Sequence, residues 1–259
     1  MTFRHLRILL LLVVLLAVVV GSWLSRMQTT DWDAPLWVAV YPLNADGSTA
    51  SDDYIASLSD ESFEAIEAFM RREAERYGVA IDEPVRVEIY HRVDTLPPAL
   101  DPGANFLQSA LWSVRLRWWA WRAGESADRA PPDIRMFVLY HDPAISSVVP
   151  HSLGLEKGLL GVVHAFAQSD MTGANNIVIA HELLHTLGAT DKYDPDTAQP
   201  TFPDGYADPE QDPLYPQERA ELMAGRLALS VSEWEMPDSL RSVVVGPLTA
   251  AEINWVQQP

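Results

Sequence analysis

The sequence predicts an α+β domain with a mixed, twisted sheet, preceded by one transmembrane helix. Three observations predict this organisation. A long apolar run opens the 259-residue chain, strand-like and helix-like segments then alternate, and a helix carrying two histidines follows the last strand of the sheet. We therefore divide the chain into an anchor and linker, residues 1–30, and one folded domain, residues 31–259.

Composition limits the class of partner. Hydrophobic residues make up 48% of the chain, which is enough for a packed core. The formal net charge is −18, so nucleic acid and anionic lipid headgroups are unfavourable partners for this surface. The chain has no cysteine, which excludes disulfides and thiolate zinc sites.

The first thirty residues predict a membrane anchor. Residues 6–24 carry a single charge, on Arg7, and a helix of these 19 residues would span about 28 Å, close to the roughly 30 Å hydrocarbon core. Arg4 and Arg7 place the N-terminus in the cytoplasm and the rest of the chain in the periplasm or outside the cell. A cleaved signal peptide is the alternative, but the long apolar run and the poor cleavage site near Gly21 favour an uncleaved anchor.

Four segments have the composition of strands. Residues 35–41 and 134–140 are apolar runs of the kind found in buried strands. Residues 84–93 include Val-Arg-Val-Glu-Ile, whose alternation predicts a strand with one face in water. Residues 157–168 are rich in Leu, Gly and Val and precede the histidine helix, so they predict the fourth strand.

Two segments before the histidines predict helices. Residues 59–77 have Ser59 as a candidate N-cap, glutamates near the start, arginines near the end, and Gly78 as a stop. Residues 106–121 mix four tryptophans with arginines, a composition that suits a helix on a membrane surface. Because the anchor already supplies membrane attachment, we expect this helix to cover the sheet instead, with its tryptophans partly buried.

The residues with the clearest chemistry are His181, Glu182, His185, Gly188 and Asp191. Residues four apart share a helix face, so both histidines can bind one metal ion. The Glu182 carboxylate can reach a water molecule at that metal, as in the H-E-x-x-H pattern of zinc hydrolases. Gly188 permits the chain reversal that ends the helix, and Asp191 then offers an oxygen ligand to the same ion.

The C-terminal third differs in composition from the rest of the chain. Residues 194–216 contain six prolines and many acidic residues, which predicts a solvated loop draped over the site. Met223 follows in the segment 221–225, and then come a strand-like segment at 243–247 and a terminal helix. Thr249 and Glu252 have the spacing of a capping box for that helix.

The full string H-E-x-x-H-x-x-G-x-x-D resembles the extended zinc motif of the metzincin metallopeptidases, in the snapalysin-like variant with Asp in place of the third His. The segment around Met223 resembles the metzincin Met-turn, and residues 247–255 resemble the helix that follows it. The resemblance covers roughly residues 175–256, and only the element order agrees over 35–170. It implies that His181, His185 and Asp191 hold Zn²⁺, that Glu182 is the general base, and that Met223 lies beneath the metal. No tyrosine stands two residues after Met223, so that turn supplies no tyrosine ligand.

These features predict a membrane-anchored zinc endopeptidase or peptidase acting on peptide or protein substrates. One alternative is a gluzincin-like site whose third ligand is Glu218 or Glu221. Another is a non-catalytic, metalloprotease-like binding protein, although the intact Glu182 argues against it. We also expect residues 159–168 to be the sheet edge that pairs with an extended peptide, with a strand interior to the sheet as the alternative.

Overall fold

A computed structural model describes residue 5 and residues 30–101, 103–125, 129–156 and 158–256 of the chain. Five strands form the central sheet: β1 (Leu36–Asn44), β2 (Val85–Ile89), β3 (Ile134–His141), β4 (Leu153–Leu155) and β5 (Leu160–Phe166). Their order across the sheet is β2-β1-β3-β5-β4. The first four in this order run parallel to one another, and β4 runs antiparallel to β5.

Both faces of the sheet are buried. Along β3, Met136 and Val138 face one apolar cluster, whereas Phe137 and Leu139 face a second one on the other side. Successive side chains of a strand point to opposite faces, so a strand covered on both faces has to be apolar almost throughout. This requirement explains why β1 and β3 read as continuous apolar runs in the sequence.

Helices cover the two faces unequally. Helices α1 (Thr49–Ser57), α2 (Glu64–Arg76) and α4 (Thr172–Thr186) contribute to the first cluster, and α3 (Phe106–Ala123) packs on the second. Helix α3 buries Leu116 and Ala120 against the sheet and leaves Trp118 and Trp121 more than half exposed. The prediction that this helix covers the sheet is therefore confirmed.

The region before α2 differs from the prediction. Residues 59–77 form a 3₁₀ turn, Asp60–Phe63, followed by α2 rather than one continuous helix. Helix α1, capped by the Ser48 side chain, was not predicted. It buries only Ser51 and Ile55 among its nine residues, so the sequence carries almost no apolar periodicity there.

The chain after α4 is built from short elements. Strand β6 (Ala220–Glu221) pairs with β9 (Val243–Val244), β7 (Leu227–Ala228) pairs with β8 (Trp234–Glu235), and α5 (Pro247–Glu252) is the last helix of the described chain. The predicted capping box of the terminal helix is wrong. Helix α5 begins at Pro247 behind Gly246, and the buried Thr249 hydroxyl donates to Glu221 Oε1 at 2.7 Å. The Thr249 and Glu252 side chains therefore make tertiary contacts instead of a local cap.

The predicted sheet edge is also wrong. Strand β5 lies inside the sheet, where β4 pairs with Leu160–Val162, and farther along the N–H groups of His164 and Phe166 donate to the Ser152 and Asn175 side chains. The strand at that end of the sheet is β4. Its three residues, Leu-Gly-Leu, are too few for a strand pattern to be read from the sequence.

The predicted transmembrane helix is not supported. Residues 6–24, on which that prediction rests, lie outside the described residues. Within the part of the chain that the structure describes, no helix has the length and apolar character needed to cross a membrane. The longest, α3, has 18 residues and three arginines. The fold class is therefore corrected by removing the transmembrane helix, and the single-pass membrane localisation derived from it is withdrawn.

Gly154, the middle residue of β4, lies in very close contact with α4. A Cβ atom at this position would come within 2.4 Å of the Glu182 carbonyl oxygen and 2.5 Å of His185 Cβ. Both distances are shorter than any packed contact in a protein interior, so β4 reaches α4 only because residue 154 has no side chain. Its partner in β5 is Gly161, where a Cβ would instead meet the flexible end of Met136.

Gly154→Ala should therefore lower the free energy of unfolding more than Gly161→Ala does. The new methyl group at 154 meets helix backbone that cannot move aside, and such overpacking costs about 1–3 kcal/mol. The Met136 side chain can change rotamer to accommodate alanine at 161. Urea denaturation of both variants measures the difference. Equal losses, or a larger loss for Gly161→Ala, would contradict the close approach of β4 to α4.

Candidate metal centre

Helix α4 carries the histidines and is fixed at both ends. At its start, the Asn175 side chain accepts from the Phe166 backbone N–H at 3.0 Å and donates to the Phe166 carbonyl at 2.9 Å, which joins the helix to the end of β5. At its end, Gly188 adopts a φ of 102°. The N–H groups of Gly188 and Ala189 then donate back into the last helical turn, and the chain reverses as a glycine cap allows.

Three predicted ligands meet at one point. The Nε2 atoms of His181 and His185 lie 3.1 Å apart, and each lies 3.1 Å from Asp191 Oδ1. Among the described residues, this is the one group of three or more His, Asp or Glu side chains that could hold a metal ion. The helix spacing brings the two histidines together, and the turn at Gly188 brings Asp191 to them.

The backbone fixes which nitrogen of each histidine faces this point. His181 Nδ1 lies 2.9 Å from the Leu222 carbonyl oxygen, and His185 Nδ1 lies 2.8 Å from the Ala189 carbonyl oxygen. A carbonyl oxygen only accepts, so both Nδ1 atoms donate and both Nε2 atoms carry lone pairs. Two lone pairs and a carboxylate oxygen would repel one another at 3.1 Å unless a cation or proton lies between them. The donor set therefore fits a metal ion.

Contacts on both sides of Asp191 hold the third ligand in place. The Thr190 backbone N–H and hydroxyl donate to Glu252 at 3.0 and 2.6 Å, and the Lys192 ammonium donates to the same carboxylate at 2.8 Å. The Lys192 backbone N–H also donates to the Met223 carbonyl at 3.0 Å. Burial alone would raise the pKa of Asp191, but the two adjacent histidines lower it by more, so this side chain is a carboxylate.

A tight turn at residues 222–225 lies against His181. Met223 is fully buried in the main apolar cluster, and the carbonyl before it is the one that accepts from His181 Nδ1. Gly225, with a φ of 64°, donates to the Glu221 carbonyl and closes the turn. The turn therefore contacts one ligand directly and, through Lys192, supports the segment that carries another.

Glu182 is next to these ligands but is not one of them. It is buried, and its Oε2 has no hydrogen-bond partner among the described residues. A Cβ at Gly154 would lie 3.2 Å from that oxygen, so the carboxylate faces the edge strand. Burial raises the pKa of Glu182 by more than the facing histidines and the nearby Gly154 backbone lower it. A buried carboxyl oxygen without a protein donor is an acceptor kept for a ligand or water.

The alternative third ligands lie elsewhere. Glu221 is buried, and its carboxylate accepts from the Gly246 N–H, the Ala224 N–H and the Thr249 hydroxyl. Glu218 is exposed, and neither glutamate belongs to the histidine cluster. The gluzincin-like arrangement therefore finds no support in the geometry of the described residues.

Sequence inspection missed three residues near the metal centre. The Tyr193 ring lies 6.5 Å from the His181 ring, and Arg226 lies over the Tyr193 ring. Gly154 approaches from the edge strand. The position of Tyr193, two residues after Asp191, was a weak indication that it lies near the site. Arg226 and Gly154 come from distant segments that only the fold brings close.

Comparisons with known proteins add no identification. No protein-family model matches the sequence, and no curated protein has significant similarity to it. One solved structure, titled "Structure of a chaperone-substrate complex", aligns with 10% identity and a TM-score of 0.42 over 85% of this chain. This chain spans only 33% of that chain. A likeness at that TM-score carries no conclusion about fold or function.

Asp191→Ala should weaken metal binding by more than the roughly 10–100-fold that loss of an outer-shell partner costs, because it removes a direct ligand. Asp194→Ala is the matched control, since the Asp194 carboxylate accepts from the nearby Thr197 and Asp196 instead. Competition with a chromophoric chelator measures zinc affinity in both variants. Unchanged affinity in Asp191→Ala, with loss in Glu218→Ala or in a folded Glu221→Ala, would reverse the ligand assignment.

Proposed function

We propose that this protein is a zinc-dependent peptidase that hydrolyses peptide bonds, with Glu182 as general base. The observation that carries the proposal is the buried Glu182 carboxyl oxygen that lacks a protein partner beside a three-ligand group. A structural metal site closes all four positions with protein ligands, whereas a catalytic site leaves one for water. Three ligands with an adjacent unpaired carboxylate fit the catalytic type.

Zinc suits this donor set. Two imidazole nitrogens and one carboxylate oxygen are common zinc ligands, at distances of about 2.0–2.2 Å from the ion. Ligand atoms of a tetrahedral site with such bonds lie about 3.3–3.6 Å apart. The 3.1 Å separations between the three ligand atoms are close to that range, so a small outward movement of the side chains accommodates the ion.

The chain's own residues carry the proton transfers of hydrolysis. When bound, zinc supplies Lewis acidity that polarises a carbonyl group and acidifies a water molecule. Glu182 accepts a proton as the water oxygen attacks the peptide carbonyl, and it passes that proton to the leaving amine as the C–N bond breaks. Because burial raises the pKa of Glu182, its carboxylate is a stronger base in the first step than an exposed carboxylate would be.

The edge strand β4 offers a way to bind an extended peptide. It ends the sheet, so one side of its backbone is not paired by another described strand. A peptide strand added there would use main-chain hydrogen bonds. Gly154 keeps β4 in contact with Glu182 and His185, and a peptide on that edge would therefore pass close to the metal ligands.

The resemblance to metzincins is part of this proposal. Met223, on which the resemblance to the Met-turn depends, is buried in a turn whose Leu222 carbonyl accepts a hydrogen bond from His181. The turn therefore has a physical role at the proposed site. The competing function is a non-catalytic binding protein that holds zinc for structural reasons. A purely structural site would not need a buried, unpaired carboxylate, which costs free energy in the absence of a ligand.

Glu182→Gln should keep zinc and lose hydrolysis. Glutamine has nearly the same shape, and the position is not a ligand, so zinc affinity should stay close to that of the wild type. The amide cannot accept the proton, and loss of a general base costs roughly 10²–10⁴-fold in rate. Zinc content and cleavage of a broad peptide library measure the two effects separately. A wild type that binds zinc but cleaves no library member, with Glu182→Gln indistinguishable from it, would favour the non-catalytic function.

A further inference from the structure

Arg226 lies directly after the 222–225 turn, between two aromatic rings. Its Cζ is 4.9 Å from the centre of the Tyr193 ring and 4.6 Å from the centre of the Trp234 ring. Cation–π contacts with the two rings restrict the guanidinium, and its N–H groups remain able to donate to other acceptors.

Most of the hydrogen-bonding capacity of Arg226 is unused by the described residues. A guanidinium has five N–H donors. The Nε atom is buried without a hydrogen-bond partner in the described part of the chain, and Nη1 makes one long bond, 3.3 Å, to the Ala224 carbonyl. Burial lowers the pKa of Arg226, which reflects the cost of holding a charge there, while Tyr193 and Asp191 partly offset it. A half-buried guanidinium with unpaired donors can bind a further acceptor.

The cluster of Tyr193, Arg226 and Trp234 lies next to the proposed metal ligands. Tyr193 follows Asp191 by two residues, and its ring lies 6.5 Å from the ring of His181. On the far side, Trp234 Nε1 donates to the Thr197 carbonyl at 3.3 Å.

We propose that Arg226 binds a carboxylate of the substrate next to the scissile bond, so that the protein cleaves peptides with an acidic group at that place. The carboxylate could belong to an Asp or Glu side chain or to the C-terminus of the peptide. This inference rests on the proposed peptidase function. A planar carboxylate matches the guanidinium edge with two parallel N–H···O bonds. The chain's net charge of −18 disfavours anions of higher charge, such as phosphate.

The first experiment compares matched peptides with the full-length, zinc-loaded protein. Peptides that differ only by Glu or Gln at each position flanking the scissile bond test the side-chain source, and free-acid and amide termini test the C-terminal source. The acidic member of one pair should have a kcat/KM roughly 10–100-fold higher, as expected for a hydrogen bond to a charged group. Equal cleavage of all the pairs by the wild type would overturn the proposal.

Variants of Arg226 assign that preference to one residue. Arg226→Gln should abolish it, and Arg226→Lys should keep only part, because an ammonium keeps the charge but not the planar fork. Arg219→Gln is the control, since it removes a positive charge from an exposed position in the same part of the chain and should keep the preference. A preference that survives in Arg226→Gln would overturn the proposal. The proposal would also be overturned if Arg226→Gln lost activity equally toward acidic and neutral peptides and had a lower melting temperature, because that result would show a structural role for Arg226.

A binding measurement separates this inference from the peptidase function. Calorimetric titration of zinc-loaded Glu182→Gln with the same Glu and Gln peptides measures affinity without hydrolysis. The Glu182→Gln/Arg226→Gln double variant then measures how much of any preference for the Glu peptide comes from carboxylate binding to the metal alone. Tighter binding of the Glu peptide that disappears in the double variant supports the carboxylate site even if no peptide is cleaved by the wild type. Cleavage without any difference in affinity between the two peptides would leave the peptidase function standing and overturn the role of Arg226.

Discussion

Two adjacent carbonyl groups of the 222–225 turn hold the proposed metal ligands in place. The Leu222 carbonyl accepts from His181 Nδ1 at 2.9 Å, and the Met223 carbonyl accepts from the Lys192 backbone N–H at 3.0 Å. The first bond fixes the tautomer and ring orientation of one ligand, and the second fixes the segment that carries Asp191. Outer-shell contacts of this kind determine how well a site is preorganised for its metal.

The turn can do this because a buried carboxylate holds it in place. Glu221 is fully buried and accepts from the Ala224 N–H within the turn, and from Gly246 and Thr249 at the start of α5. Burial raises the pKa of Glu221, opposed by those three hydrogen bonds. Hydrogen bonds of this kind offset the free-energy cost of burying a carboxyl group. The terminal helix therefore supports the proposed ligands in two ways, through the turn and through Glu252, which accepts from Thr190 and Lys192 on either side of Asp191.

The sequence was informative where the interactions are local. Helix spacing predicted that His181 and His185 share a face, and Gly188 and Asp191 lie close enough along the chain for the turn to bring them together. Strands buried on both faces were recognisable as apolar runs. The edge strand β4 could not be predicted because three residues carry no pattern, and the residues proposed as a local cap, Thr249 and Glu252, both make long-range contacts. Gly154 and Arg226 reach the centre only through the packing of distant segments, which residue spacing does not encode.

Anomalous diffraction at the zinc edge, from crystals of the zinc-loaded protein, tests the central claim most directly. The account predicts one strong peak within about 2.0–2.2 Å of His181 Nε2, His185 Nε2 and a carboxylate oxygen of Asp191, with no fourth protein ligand. The Nδ1 atoms of both histidines should keep their contacts with the Leu222 and Ala189 carbonyls. A peak that lies elsewhere, or one whose four ligands are all protein side chains, would contradict it.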